Sequence, residues 1–263
     1  MTEKPSRGKN GGLQVQPLYA LRDAWKVLAE IEGLRFEVLE LSAPPALCES
    51  RRFESCREWY LRSGLVDSLH GVFIDVNPGS SDIAFRALSR KRCIESCELA
   101  LFLGARNVVF HCSCSPFLRG RYLDFWAGEC ASFYERLADR YDLNLFIENS
   151  SDLDAGPLRE LMKRNGSRRV GVCLDQGHAF YSRMPLEHWF EELGDRIGYL
   201  HLSDNMGLYD DHLPLGDGRI DWGKADALFR GLGREMPMTL ETGGLAGVRK
   251  SLDYLRQHHY FGQ

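Results

Sequence analysis

Apolar residues recur along the chain as short runs, each followed by a longer stretch whose apolar positions return every three or four residues. The short runs predict strands at about 13–17, 35–41, 66–74, 106–111, 143–148, 170–175, 197–203 and 237–241. The longer stretches predict helices at 20–32, 49–63, 82–103, 122–141, 154–165, 185–194, 221–232 and 244–258. Asp82, Asp154 and Asp221 each stand where a helix start needs an acceptor for its free N–H groups. Eight strand–helix pairs between residues 13 and 263 predict an α/β fold, a single (β/α)8 TIM barrel. Periodicity does not encode strand order, so a doubly wound open sheet satisfies the same pattern. Residues 1–12, MTEKPSRGKNGG, are polar and glycine-rich and read as a disordered tail.

Composition narrows the partners. The 263 residues suit one domain, and a net charge of −4 gives no general attraction to nucleic acid or anionic membrane. No run approaches the ~18 apolar residues of a membrane span. No charged segment followed by an apolar one opens the chain, so the expected compartment is cytoplasmic and the eight cysteines are expected as thiols. None of them forms a CxxC pair, and Cys93 and Cys97 lie one helical turn apart, where packing is the expected role.

The chemistry lies at the strand ends. His70 falls in the third predicted strand, and His111 ends the fourth. Glu148 ends the fifth, Asp175 the sixth with His178 three residues on, and Glu241 the eighth. His201 lies near the end of the seventh, and Asp210, Asp211 and His212 occupy the loop after it. A lone strand histidine is more often a packed core residue, and an Asp after a strand is more often a cap. In a parallel barrel, however, all C-terminal strand ends converge on one rim, where catalytic groups sit. Only His188, His258 and His259 fall elsewhere. A cluster of imidazoles and carboxylates suits zinc, manganese, iron or cobalt better than calcium or magnesium.

The segments IEN (147–149), LDQGHAF (174–180) and HLSDNMGLYDDHLPLGDGRIDW (201–222) resemble the xylose isomerase-like barrel superfamily. HGVFIDVNPGSSD (70–82) and VVFHCS (108–113) extend the resemblance over about 65–260. That superfamily holds sugar phosphate isomerase/epimerase-like proteins and endonuclease IV-type nucleases. The nuclease branch implies three zinc ions: one on His70, His111 and Glu148, a second on Glu148, Asp175, His201 and Glu241, and a third on His178, Asp210 and His212, with Asp211 as the alternative to Asp210. The isomerase branch implies only the set Glu148, Asp175, His201 and Glu241, with Glu148 and Glu241 as the proton-transfer pair and His178 as a substrate contact. Its epimerases usually carry an Arg six residues beyond the metal-binding His, a position held here by Gly207. Arg119 and Arg121, in the loop after the fourth strand, are the alternative contacts for an anionic substrate.

Three functions follow as expectations. The first is a metal-dependent isomerase or epimerase of a sugar, sugar phosphate or polyol-derived ketone, acting through a metal-stabilised enediolate. The second is a phosphodiester hydrolase using several zinc ions. The third is a metal-binding barrel without activity of its own. A divalent cofactor, zinc or manganese at one to three ions, and a small carbohydrate partner are expected. Nucleic acid stands second as a partner, no membrane partner is expected, and homo-oligomerisation is left open.

Overall fold

The computed structural model describes residues 13–15, 33–39, 64–182 and 184–263. The helices expected at 20–32 and 49–63 and the tail 1–12 lie outside the described residues. The eight strands are β1 Leu13–Val15, β2 Arg35–Leu39, β3 Val66–His70, β4 Asn107–His111, β5 Asn144–Glu148, β6 Val170–Asp175, β7 Ile197–Leu202 and β8 Met238–Leu240. They close in sequence order, all parallel, with β1 paired to both β2 and β8. The open-sheet alternative is thereby excluded.

Seven α-helices are described: α1 Ile83–Leu103, α2 Arg121–Tyr141, α3 Gly156–Arg164, α4 Gln176–Tyr181, α5 Leu186–Leu193, α6 Trp222–Gly231 and α7 Gly244–His258. Asp82 caps α1 through Phe85 N–H at 2.7 Å, and Asp221 caps α6 through Lys224 N–H at 3.0 Å. Asp154 sits one residue too early to cap α3. It accepts Gly156 N–H at 2.8 Å, while Ala155 holds the cap position. The expected third strand, 66–74, ends at His70, which places that histidine at the strand end.

Two packing regions follow from the period of two in each strand. Residues such as Val108, Phe110, Leu145, Ile147, Leu200 and Leu202 belong to the large apolar core packed with the helices. On the alternate positions Val109, Cys173 and Tyr199, with Phe146 against them, form a separate apolar layer. One step further along β4, β5, β6 and β7, at i+2, stand His111, Glu148, Asp175 and His201. The six described cysteines are buried and form no disulfide among themselves. No described helix is long and apolar enough to cross a membrane.

Candidate metal centre at the barrel mouth

Strand register builds the site. Across neighbouring strands His111 pairs with Glu148, and Asp175 pairs with His201. Glu241 follows β8 directly and is fixed by its N–H to Leu202 O at 3.0 Å. His201 Nδ1 lies 3.2 Å from Glu148 Oε1, 3.2 Å from Glu241 Oε1 and 3.9 Å from Asp175 Oδ2. All four side chains are buried. Asp175 has two duties: Oδ1 caps α4 by accepting His178 N–H at 2.6 Å, while Oδ2 points into the cluster.

Two further groups share this centre. His70 Nε2 and His111 Nε2 lie 3.2 and 3.5 Å from Glu148 Oε2, the oxygen turned away from His201. Asp210 Oδ2 stands 3.2 Å from His178 Nε2 and 3.0 Å from His212 Nε2. Asp211 instead accepts the Met206 N–H at 3.2 Å, so Asp210 is the residue that faces the histidines. Three imidazoles are aimed by main-chain carbonyls: His70 Nδ1 by Gly71 O at 3.1 Å, His178 Nδ1 by Asn149 O at 2.7 Å, and His212 Nδ1 by Glu241 O at 2.9 Å. A carbonyl only accepts, so each Nδ1 carries a proton and each Nε2 is left for the carboxylate side.

The loop bearing Asp210 and His212 is held by Asp204. Asp204 and Leu213 exchange backbone hydrogen bonds at 2.9 and 2.8 Å, closing the segment between them. The buried Asp204 carboxylate accepts N–H groups of Asn205, Gly216 and Ile220 and the indole N–H of Trp222. Gly218 lies so close that a Cβ there would collide with that carboxylate. Gly177 of the DQGH segment is required similarly: a Cβ would stand 2.7 Å from Ser203 Oγ. The DQGH and GDG segments thus record close backbone approach.

A cleft of about 560 Å³ opens beside the cluster, lined in part by His111, His178, Asp210, Tyr181, Asn77 and Phe73. Ser113, Ser115, Ser150 and Ser151 add hydroxyls, and no Lys or Arg lines it among the described residues. Arg119 donates to Pro116 O and Leu118 O, and Arg121 stacks over Tyr122. Both arginines are exposed, and neither lines the cleft.

The family described as xylose isomerase-like TIM barrel matches residues 33–258. The chain belongs to that family. Protein MJ1311 of Methanocaldococcus jannaschii is 26% identical over 202 residues, 72% of this chain and 69% of that one. The curated relatives that match are spanned over 55–69% of their length. Among solved structures, the TTHB071 protein from Thermus thermophilus, soaked with ZnCl2, superposes with a TM-score of 0.74 at 25% identity, covering 94% of this chain and 97% of that one. A D-tagatose 3-epimerase-like protein superposes at 0.75 and 22% identity with the same coverage.

Within this xylose isomerase-like barrel the donor set fits a divalent metal. Glu148 Oε1 and Oε2, Asp175 Oδ2 and His201 Nδ1 are buried without a hydrogen-bond partner. Leaving such atoms unmatched costs free energy unless a cation completes them. Nitrogen and oxygen ligands ~2.1 Å from one tetrahedral ion stand about 3.4 Å apart, close to the separations around His201. Glu148, Asp175, His201 and Glu241 could hold one ion, and His70, His111 and Glu148 another. Burial drives the Glu241 carboxyl up to about 7, with Glu148 adding to the rise and His201 opposing it. Glu148 is also buried, but the imidazoles of His201 and His111 pull its carboxyl well below the ordinary range. Burial pushes His111 down to about 3, which keeps its ring neutral.

Sequence reading missed Glu37, which β2 places fully buried against His201, with Oε1 3.2 Å from His201 Nε2. An acidic residue between Phe36 and Val38 was the available signal.

Proposed function

We propose that this barrel is a metal-dependent isomerase or epimerase of an uncharged polyhydroxy carbonyl compound. The observation that carries the reading is the convergence of two carboxylates, Glu148 and Glu241, on the single nitrogen His201 Nδ1 at 3.2 Å each. Likeness to an epimerase-like structure supports the class, and the cleft supports the substrate. Hydroxyl and amide side chains without a lining Lys or Arg suit sugar hydroxyls better than a phosphate. Arg119 and Arg121 remain available only to a substrate reaching beyond the cleft.

Glu148, Asp175, His201 and Glu241 would hold the principal ion. A divalent ion there polarises a substrate oxygen and stabilises the charge that grows on it. The side chains handle the proton. One carboxylate takes a proton from carbon and the other returns one to the neighbouring or opposite position, so substrate and product are isomers and the enzyme ends unchanged. Tyr181, His178 and Asn77 orient the hydroxyls in the cleft. The test is incubation of the zinc- or manganese-loaded protein with ketoses and inososes in deuterium oxide. Deuterium on substrate carbon, absent with Glu148→Gln, is expected; no exchange with any of them rejects the reading.

A second reading, hydrolysis of a phosphodiester, is favoured by one observation. His178, Asp210 and His212 form an outer group that proton transfer does not need. Cleavage of abasic duplex DNA at catalytic enzyme levels would replace the first reading with this one.

A further inference from the structure

We infer that Glu37 is a positioning residue that sets the tautomer of His201 and, through it, the strength of the central metal site. The inference rests on the metal reading above, but its chemistry is local. Every other ring in the cluster that meets a main-chain carbonyl does so through Nδ1, leaving Nε2 for the site. His201 is reversed: Nδ1 enters the cluster with Glu148, Asp175 and Glu241, and Nε2 faces the floor of the barrel. On that floor Nε2 meets the Glu37 carboxylate at 3.2 and 3.3 Å.

Glu37 is in turn held as an acceptor. The Tyr199 hydroxyl donates to its Oε2 at 2.7 Å. That hydroxyl accepts Gln14 Nε2–H at 3.1 Å and stands 2.8 Å from Thr239 Oγ1. With the Tyr199 proton spent on Glu37, Thr239 is the donor in the last contact. Hydrogen bonds therefore run from β1, β7 and β8 toward one buried carboxylate on β2. An ionised carboxylate has no hydrogen to give, so a neutral His201 ring, the form that can bind a metal, must place its proton on Nε2. The lone pair on Nδ1 is then forced into the cluster, the form a metal ligand requires. An apolar residue at 37 would leave the imidazole free to carry its proton on Nδ1, pointing it at the metal position.

Two measurements test this on the intact chain. In metal-free protein, long-range proton–nitrogen NMR reads the His201 tautomer directly. Wild type is expected with the proton on Nε2, Glu37→Leu with a mixture or with the proton on Nδ1, and Tyr199→Phe close to wild type. Zinc affinity, by competition with a chromophoric chelator, is expected to fall about 10–100-fold in Glu37→Leu and less in Glu37→Gln, which keeps an acceptor oxygen. Should Glu37→Leu fail to fold, Glu37→Gln carries both measurements. A wild-type His201 that carries its proton on Nδ1 with Nε2 bare, or folded variants with unchanged tautomer and zinc affinity, would overturn the assignment. A wild-type protein that binds no zinc but shows the expected tautomers would reject the metal reading and leave the role of Glu37 standing.

Discussion

His212 Nδ1 is tied to the main-chain oxygen of Glu241 at 2.9 Å, so the loop after β7 is fastened to the end of β8. The same Glu241 sends its carboxylate to His201. The outer histidine group and the central cluster are therefore joined through one residue, by its backbone on one side and its side chain on the other.

His212→Ala should detach the outer group while leaving the central four ligands in place. We expect it to lose one weakly held ion at most and to keep more activity than Glu148→Ala, which removes both carboxylate oxygens that serve two groups. Elemental analysis and proton-exchange rates on the two variants check this. Equal, complete loss in both would point to the hydrolytic reading.

Metal should stabilise the fold. A bound ion would satisfy the orphaned buried atoms of the cluster, so zinc at 100 times its Kd is expected to add about 2.7 kcal/mol to unfolding free energy. Chelator-treated and zinc-loaded samples compared by denaturant titration give the measurement. No difference, together with no zinc in the protein as purified, would remove the case for a metal centre.

The pattern of apolar runs made the barrel and most of the site legible, because a parallel barrel turns strand ends into one rim and strand ends are where apolar runs stop. His111, Glu148 and Asp175 were marked by that rule alone. Glu37 was not, since an inward-pointing residue halfway along β2 carries no terminal signal. Helix α4 was missed because six residues hold fewer than two turns and show no period. Asp210 and Asp211 could not be told apart because side-chain direction in a loop depends on turns such as the positive φ of 48° at His212.

Asp204 should prove a stability hinge for the long loop. Its carboxylate accepts four N–H groups, so Asp204→Ala strands several buried donors and should cost about 3–5 kcal/mol. Gly218→Ala forces a methyl against the same carboxylate and should cost about 1–3 kcal/mol. Thermal denaturation checks both, and either variant matching wild type would contradict the packing described.

Asp152 gives the clearest pH signature. Burial pushes its carboxyl up from the ordinary 3.8 to about 6, although Ser150 N–H and the Cys112 thiol favour the ionised form. Between those two values the folded chain keeps a proton that the unfolded chain has released. This group's contribution therefore falls as pH rises from about 4 to about 6 and is constant above, by about 3 kcal/mol in all. Asp152→Asn removes that slope. Relative to wild type it should gain stability at pH 7 compared with pH 4.5, and an unchanged difference at the two pH values contradicts the shift.

The backbone pairing of Asp204 with Leu213 separates two tasks that share one stretch of chain. Met206, Leu208 and Tyr209 project into solvent at the tip, while Asp210 and His212 sit within the same closed segment beside the cluster. Because the Asp204–Leu213 pair itself uses only main-chain atoms, the exposed side chains at the tip take no part in that closure. Those side chains can be exchanged while the clasp at the base of the tip holds Asp210 and His212 beside the cluster.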